Sequence, residues 1–260
     1  MWTGGSGIQC RGGVCGMWKT FRKLTLIKCV LCVCLAAGLT LYCWLSGGRR
    51  FPAFSASGIS EPVTVVLDPG HGGEDGGAVS PVGIEESGIN LSIAFRVQDL
   101  LRLTGYRTVM TRTEDVSIGD KSLGSVRARK SSDLRKRVEI VNATENAVLL
   151  SIHQNSLPSS PVTHGAQVFW NRRPGGEALA KLIQASLNTQ INAGNEKRAY
   201  PINDGVYLMK HADAAGALVE CGFLSNAWET VRLTETPYQK ELAAAITAGY
   251  LRYVSGEEVT

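Results

Sequence analysis

The sequence predicts an α/β fold: a single domain with a twisted, mostly parallel β-sheet flanked by helices, preceded by an N-terminal transmembrane helix. Three observations predict it. Apolar β-type runs alternate with helical patterns from about residue 62 to residue 254, the signature of strand–helix–strand units. The runs VTVVL (Val63–Leu67) and AVLLSI (Ala147–Ile152) are continuously apolar, as strands covered on both faces are. Cys29–Ser46 is uncharged and mostly apolar for eighteen residues, the length of one membrane crossing.

At the N-terminus, Arg11, Lys19, Arg22 and Lys23 precede the apolar stretch. Residues 1–23 thus read as a cytoplasmic basic segment and 24–46 as a signal-anchor. A cleaved signal peptide is the rival reading, since Ser55-Ala56-Ser57 would suit a peptidase. Either one places the rest of the chain outside the cytoplasmic membrane. Residues 47–61, GGRRFPAFSASGISE, read as a linker. Six of the seven cysteines lie before residue 44, and Cys221 alone belongs to the globular part. No internal disulfide framework is available there, so the core must hold the domain. Cys29, Cys32 and Cys34, set in an apolar run, read as small buried residues or acylation targets rather than a metal site. The 260-residue chain is 44% hydrophobic and 19% charged with a net charge of +4, and its cations form no dense stripe, which argues against nucleic-acid binding.

After the linker, Val63–Leu67 is the first strand. Ile89, Ile93, Val97, Leu100 and Leu101 recur at helical spacing, Gly105 closes that helix, and Arg107–Thr111 resumes as a strand. Glu114–Ser132 reads as a long surface loop, with Asp133 capping a helix that carries Leu134, Val138 and Val141. Ala147–Ile152 and Ala166–Trp170 are further strands, Leu179, Leu182, Ile183 and Leu187 mark a helix, Ala217–Val219 a short strand, and Leu242, Ile246 and Tyr250 a last helix. In such a fold the site is expected where strand ends meet loops.

Two histidines occupy such ends. His71 follows VTVVLD-PG between glycines, and His153 ends VLLSIH ahead of Gln154-Asn155. Neutral imidazole is the commonest metal donor, and a carboxylate would complete a two-histidine, one-carboxylate set with one position open. Glu85 and Glu86, just ahead of the first helix, are the candidates. Glu220 ends the run ALVE, where desolvation should raise its pKa and suit it to acid/base work. The plainer readings are a turn histidine, a satisfied core histidine, helix-terminal anions and an arginine-paired glutamate. His164 and His211 lack a strand-end setting and read as structural.

The segment VVLDPGHGGEDGGAV resembles the opening signature of zinc-dependent N-acetylmuramoyl-L-alanine amidases of the type-3 class. The resemblance implies that His71 is the first zinc ligand. Glu86-Ser87-Gly88-Ile89-Asn90-Leu91 fits the family's second segment and favours Glu86 over Glu85 as the next ligand, with Ser87 in place of the usual lysine. Gly105…Val109-Met110-Thr111-Arg112…Asp115 is similar to the third segment, and Ser151-Ile152-His153-Gln154-Asn155 matches the segment of the last ligand, His153. Val219-Glu220-Cys221-Gly222-Phe223-Leu224-Ser225-Asn226 resembles the closing segment, whose glutamate, here Glu220, is catalytic. Cys221 stands where a small aliphatic residue is usual and reads as buried, not nucleophilic.

The resemblance covers residues 62–254, taken as the catalytic domain. It implies hydrolysis of the amide between N-acetylmuramic acid and L-alanine in peptidoglycan, with Zn2+ as cofactor and Glu220 as the general base and acid. Arg112 and Arg137 could contact substrate carboxylates, but are expected in structural ion pairs, with Asp115 or Asp133. AFRVQDLL, DLRKRVEIVN and GVYLM look most like the germination-specific subgroup of spore-forming bacteria. That implies a role in spore-cortex maturation, through muramic δ-lactam formation, in the space between forespore and mother-cell membranes. No appended wall-binding repeat is recognisable, so recruitment is expected through the membrane anchor and partners, an activating protein among them. The rivals are a stem-peptide metallopeptidase and a degenerate peptidoglycan-binding module.

Overall fold

The computed structural model describes residues 63–258. The basic segment, anchor and linker read from residues 1–61 lie outside the described residues. Among those described, no helix is long and apolar enough to cross a membrane.

In chain order the elements are β1 (Thr64–Pro69), α1 (Glu86–Leu103), β2 (Arg107–Met110), α2 (Val126–Asn142), β3 (Ala147–Asn155), β4 (Gln167–Trp170), α3 (Gly176–Gln190), β5 (Tyr200–Pro201), α4 (Tyr207–His211), β6 (Ala215–Phe223), α5 (Ala227–Thr234) and α6 (Thr236–Val254). They form one sheet in the order β2-β1-β3-β6-β4-β5. The sheet is mixed: β2, β1, β3 and β6 run parallel, whereas β4 is antiparallel to β6 and carries β5 parallel to itself.

Alternate residues of each strand face opposite layers. Val65, Leu67, Leu150, Ile152, Ala217 and Val219 pack with Ile93 and Val97 of α1, Ile183 of α3, and Leu242 and Ile246 of α6. The intervening Val66, Leu149 and Leu218 meet a smaller layer, Val141 of α2 with Leu208 and Met209 of α4. Burial on both sides is why VTVVL and AVLLSI show no alternation. The two layers are unequal. Three long helices cover one face, while α2 and the five-residue α4 cover the other.

Two expectations change. The end of the predicted loop Glu114–Ser132 is helical, because α2 begins at Val126, capped by the Ser125 hydroxyl, which accepts from Ala128 N at 3.2 Å. Asp133 therefore sits inside α2 rather than at its cap. The first two turns, VRARKSS, carry almost no apolar residue, so no helical periodicity marked them. The sheet also contains the antiparallel β4, whose Gln167 pairs with Glu220 and whose Trp170 pairs with Ala217.

Candidate metal centre

Because β1, β3 and β6 are parallel neighbours, their C-terminal ends share one edge, and the chemistry gathers there. His71 lies two residues past β1. His153 and Glu220 are register partners on β3 and β6, so their side chains leave the sheet on the same face, that of Leu149 and Leu218. Glu86 is the first residue of α1. Ligand atoms of His71, Glu86 and His153 all lie within 4.8 Å of one another. His71 Nε2 is 3.3 Å from Glu86 Oε2, and His153 Nδ1 is 2.9 Å from Glu86 Oε1. Glu85 is exposed and stands outside the cluster.

Each group is held from behind. His71 Nδ1 meets Asp75 Oδ2 at 3.0 Å, so the ring donates there and leaves Nε2 bare toward Glu86. Asp75 also takes Lys130 Nζ at 2.9 Å, and its hydrogen bond with His71, reinforced by Lys130, keeps its carboxyl below the usual range against the pull of burial. Glu86, 2% exposed, accepts Ala78 N at 2.8 Å on Oε2, and Asn90 Nδ2 and Gln154 N, both at 2.9 Å, on Oε1. A register shift between His153 and Asn155 turns the Gln154 N–H toward that carboxylate. Burial pushes Glu86 up, yet the hydrogen bond and charge of His153 and the charge of His71 outweigh it and hold Glu86 at about 2. Burial pushes His153 down, and Glu86, Glu220 and Asp68 together leave it above its ordinary value.

Glu220 goes the other way. Burial, helped by the charge of Glu86 and opposed by His153, lifts its carboxyl to about 7. Its Oε2 is buried without a hydrogen-bond partner. Two glycines make room for this packing. A Cβ on Gly70 would stand 2.1 Å from His153 Cε1, and one on Gly77, at φ +74°, would stand 2.5 Å from Glu86 Oε2 and 2.7 Å from His71 Cδ2.

These residues fit a zinc ion. Two imidazoles and one anionic carboxylate are a common hydrolytic donor set. The 3.3 Å from His71 and the 2.9 Å from His153 reach different oxygens of Glu86, and ligand atoms all within 4.8 Å of one another leave room for the three to close on one cation. A cleft of about 320 Å³ opens on the thinly covered face and is lined by His71 and His153, Lys130 of α2, and Tyr207 and Leu208 of α4.

Arg112 and Arg137 are buried and face carboxylates, as expected. Arg137 pairs with Asp133 Oδ2 at 2.6 Å and with Asp68 Oδ1 at 2.8 Å, while Arg112 lies 3.7 Å from Asp115 and mainly donates to backbone carbonyls. His164 and His211 stand outside the cluster, His164 with Nδ1 3.0 Å from Val162 O and His211 stacked on Tyr207 at 4.1 Å. Cys221 is fully buried, and burial pushes its thiol up. Asp75, Asn90 and Asp68 were not singled out in the sequence. Asn90 had a legible signal, one helical turn beyond Glu86, and Asp75 lies within the glycine-rich turn itself.

A mixed α/β sheet with two histidines and a carboxylate that could hold a metal converging at its C-terminal edge, beside a second carboxylate with one buried oxygen, carries the groups of a hydrolase. Residues 65–252 match the family model described as N-acetylmuramoyl-L-alanine amidase, and the chain belongs to that family of cell-wall hydrolases. It is 38% identical over 189 residues to the germination-specific N-acetylmuramoyl-L-alanine amidase of Bacillus subtilis (strain 168), a match covering 73% of this chain and 78% of that one. It is 29% identical over 204 residues to the amidase LytC of the same organism, covering 76% of this chain but 37% of LytC. Among solved structures, the CwlD amidase from Clostridioides difficile in complex with the GerS lipoprotein is similar at 32% identity and a TM-score of 0.72, covering 75% of this chain and 100% of that one.

Proposed function

We propose that the chain hydrolyses the amide between N-acetylmuramic acid and L-alanine with zinc held by His71, Glu86 and His153 and with Glu220 as the acid/base. The observation that carries this reading is the gathering of those three side chains within 4.8 Å, in a member of an amidase family, beside a carboxylate with an unpartnered buried oxygen. Bound there, zinc supplies an electrophile for the scissile carbonyl and acidifies water.

The chain's own groups do the rest. The Asp75 carboxylate fixes the His71 tautomer so that Nε2 offers its lone pair. Glu86, held by the backbone N–H groups of Ala78 and Gln154, brings one negative charge against the two of the cation. Glu220 accepts the proton of the attacking water and returns it to the L-alanine nitrogen as the amide breaks, two transfers that a carboxyl near 7 suits. The cleft lined by Lys130, Tyr207 and Leu208 receives the substrate.

Likeness to the germination-specific enzyme supports a role in spore-cortex maturation. The apolar segment 24–46 supports an anchored, extracytoplasmic location, with residues 62–254 as the catalytic domain. The C. difficile complex supports a lipoprotein as a protein partner. The test of the metal reading is chelation. Removing metal from the purified chain should abolish release of L-alanine amino termini from peptidoglycan, and stoichiometric zinc should restore it. Undiminished release by metal-free protein would contradict the reading.

A further inference from the structure

The His71 backbone is in the left-handed region, at φ +63°. A non-glycine residue persists there only when its surroundings over-determine it. Here they do. The carbonyls of Pro69, Gly70 and His71, three in succession, are all taken by buried guanidinium groups. Arg137 donates to Pro69 O at 2.8 Å and to His71 O at 2.6 Å. Arg112 donates to Pro69 O and Gly70 O, both at 2.9 Å, and to Ser87 O at 2.8 Å, next to Glu86.

Arg137 is itself aimed from two sides. Asp133, one turn earlier on α2, accepts its Nε at 2.6 Å, and Asp68 of β1 accepts Nη1 at 2.8 Å. Asp68 is fixed in turn by the hydroxyls of Thr111 and Ser151, at 2.7 and 2.8 Å. The two aspartates balance the two guanidiniums, so the clamp holds the turn without setting an uncompensated positive charge beside a cation.

We infer that Arg137 is a positioning residue for the metal cluster: through the His71 carbonyl it fixes the left-handed turn that presents Nε2 toward Glu86. This rests on the zinc reading of His71, Glu86 and His153. A plainer role, fastening α2 to β1, would make Arg137 matter for stability alone. Only a planar fork serves the two carboxylates and two carbonyls together, so lysine, a point charge on a flexible stem, keeps the charge and loses the geometry.

The experiment measures zinc affinity of the full-length chain by competition with a chromophoric chelator, together with the visible spectrum of the cobalt-substituted protein and the melting temperature of the metal-free form. Arg137→Lys should bind zinc about 10- to 100-fold more weakly, the loss usual when a group orienting a metal ligand is removed, with an altered cobalt spectrum. Asn171→Ala, which removes the amide's bonds to Ala214 O and from Gly216 N at the N-terminal end of β6, should lower the melting temperature and leave affinity and spectrum unchanged. If Arg137→Lys does not fold, Asp133→Asn takes its place and should weaken zinc binding several-fold. A lowered melting temperature with the affinity and cobalt spectrum of the unmutated protein would overturn the inference and leave the zinc reading standing. Failure of the unmutated protein to bind zinc would overturn both.

Discussion

Glu86 and Glu220 carry the same functional group, Glu86 in contact with both histidines and Glu220 the register partner of His153, yet their surroundings drive them apart. Glu86 accepts two backbone N–H groups and the Asn90 amide and stays ionised, at about 2; Glu220 has a bare buried oxygen and rises to about 7. In the proposed mechanism two carboxyls separated in this way divide the work into ligand and acid/base. Glu220→Gln should lower kcat by about 10²- to 10⁴-fold, the usual share of general acid–base catalysis, while zinc content by metal analysis stays the same. As a base Glu220 works deprotonated, so kcat/KM should rise with pH through its titration, at or below about 7 because a cation in the site favours the charged form; a profile flat between pH 5 and 8 would remove Glu220 from that role. Cys221→Ala should keep activity within about twofold, as swapping a small buried apolar residue does, and the folded protein should resist alkylation at that thiol. At this scale the sequence was most legible where a polar residue ends an apolar run, as His153 and Glu220 do. It was least legible where a residue acts through another, since nothing in the pattern shows that Asp75 orients His71 or that Asp68 anchors Arg137.

At the scale of elements, the Asp68 carboxylate ties the layers together, joining β1 to Ser151 of β3, Thr111 just after β2 and Arg137 of α2. Burial pushes its pKa up, but Arg137 and the other partners outweigh this and set it below the ordinary value. The sign follows: the folded pKa lies below the unfolded one, so the stabilisation is fully present above about pH 4 and is lost as pH falls through the folded value. Asp68→Asn should cost about 3–5 kcal/mol in chemical denaturation, since it leaves Arg137 half-paired in the interior, and should flatten the decline in stability below pH 4. An unchanged denaturation midpoint would mean that Asp133 alone satisfies the guanidinium. The same element shows where pattern reading stops. β1 to β4, β6, α1, α3 and α6 were legible because each buries a stripe or a full face, whereas β5, two exposed residues, was not. The first half of α2 was not, since its residues are charged and its register comes from Ser125 and the Asp133–Arg137 pair, and the antiparallel sense of β4 leaves no mark in four residues.

At the scale of the molecule, unequal covering of the sheet explains where the site lies. α1, α3 and α6 seal one face, and the lighter cover of α2 and α4 leaves the other open as a cleft at the C-terminal edge. Residues 1–61 add the proposed address. Deleting residues 1–46 should move the protein from the membrane to the soluble fraction with its zinc-dependent hydrolysis intact, and continued membrane association would place the tether elsewhere. The central claim is an amidase whose metal is held by His71, Glu86 and His153 and whose proton carrier is Glu220. Its most direct test is mass spectrometry of purified peptidoglycan after incubation with the zinc-loaded full-length chain and, in parallel, with the zinc-loaded Glu220→Gln protein. Free stem peptides beginning at L-alanine, with peptide-free muramic acid left in the glycan, should come from the unmutated protein and be nearly absent from the variant. Cuts inside the stem peptide, or equal release by both proteins, would contradict it.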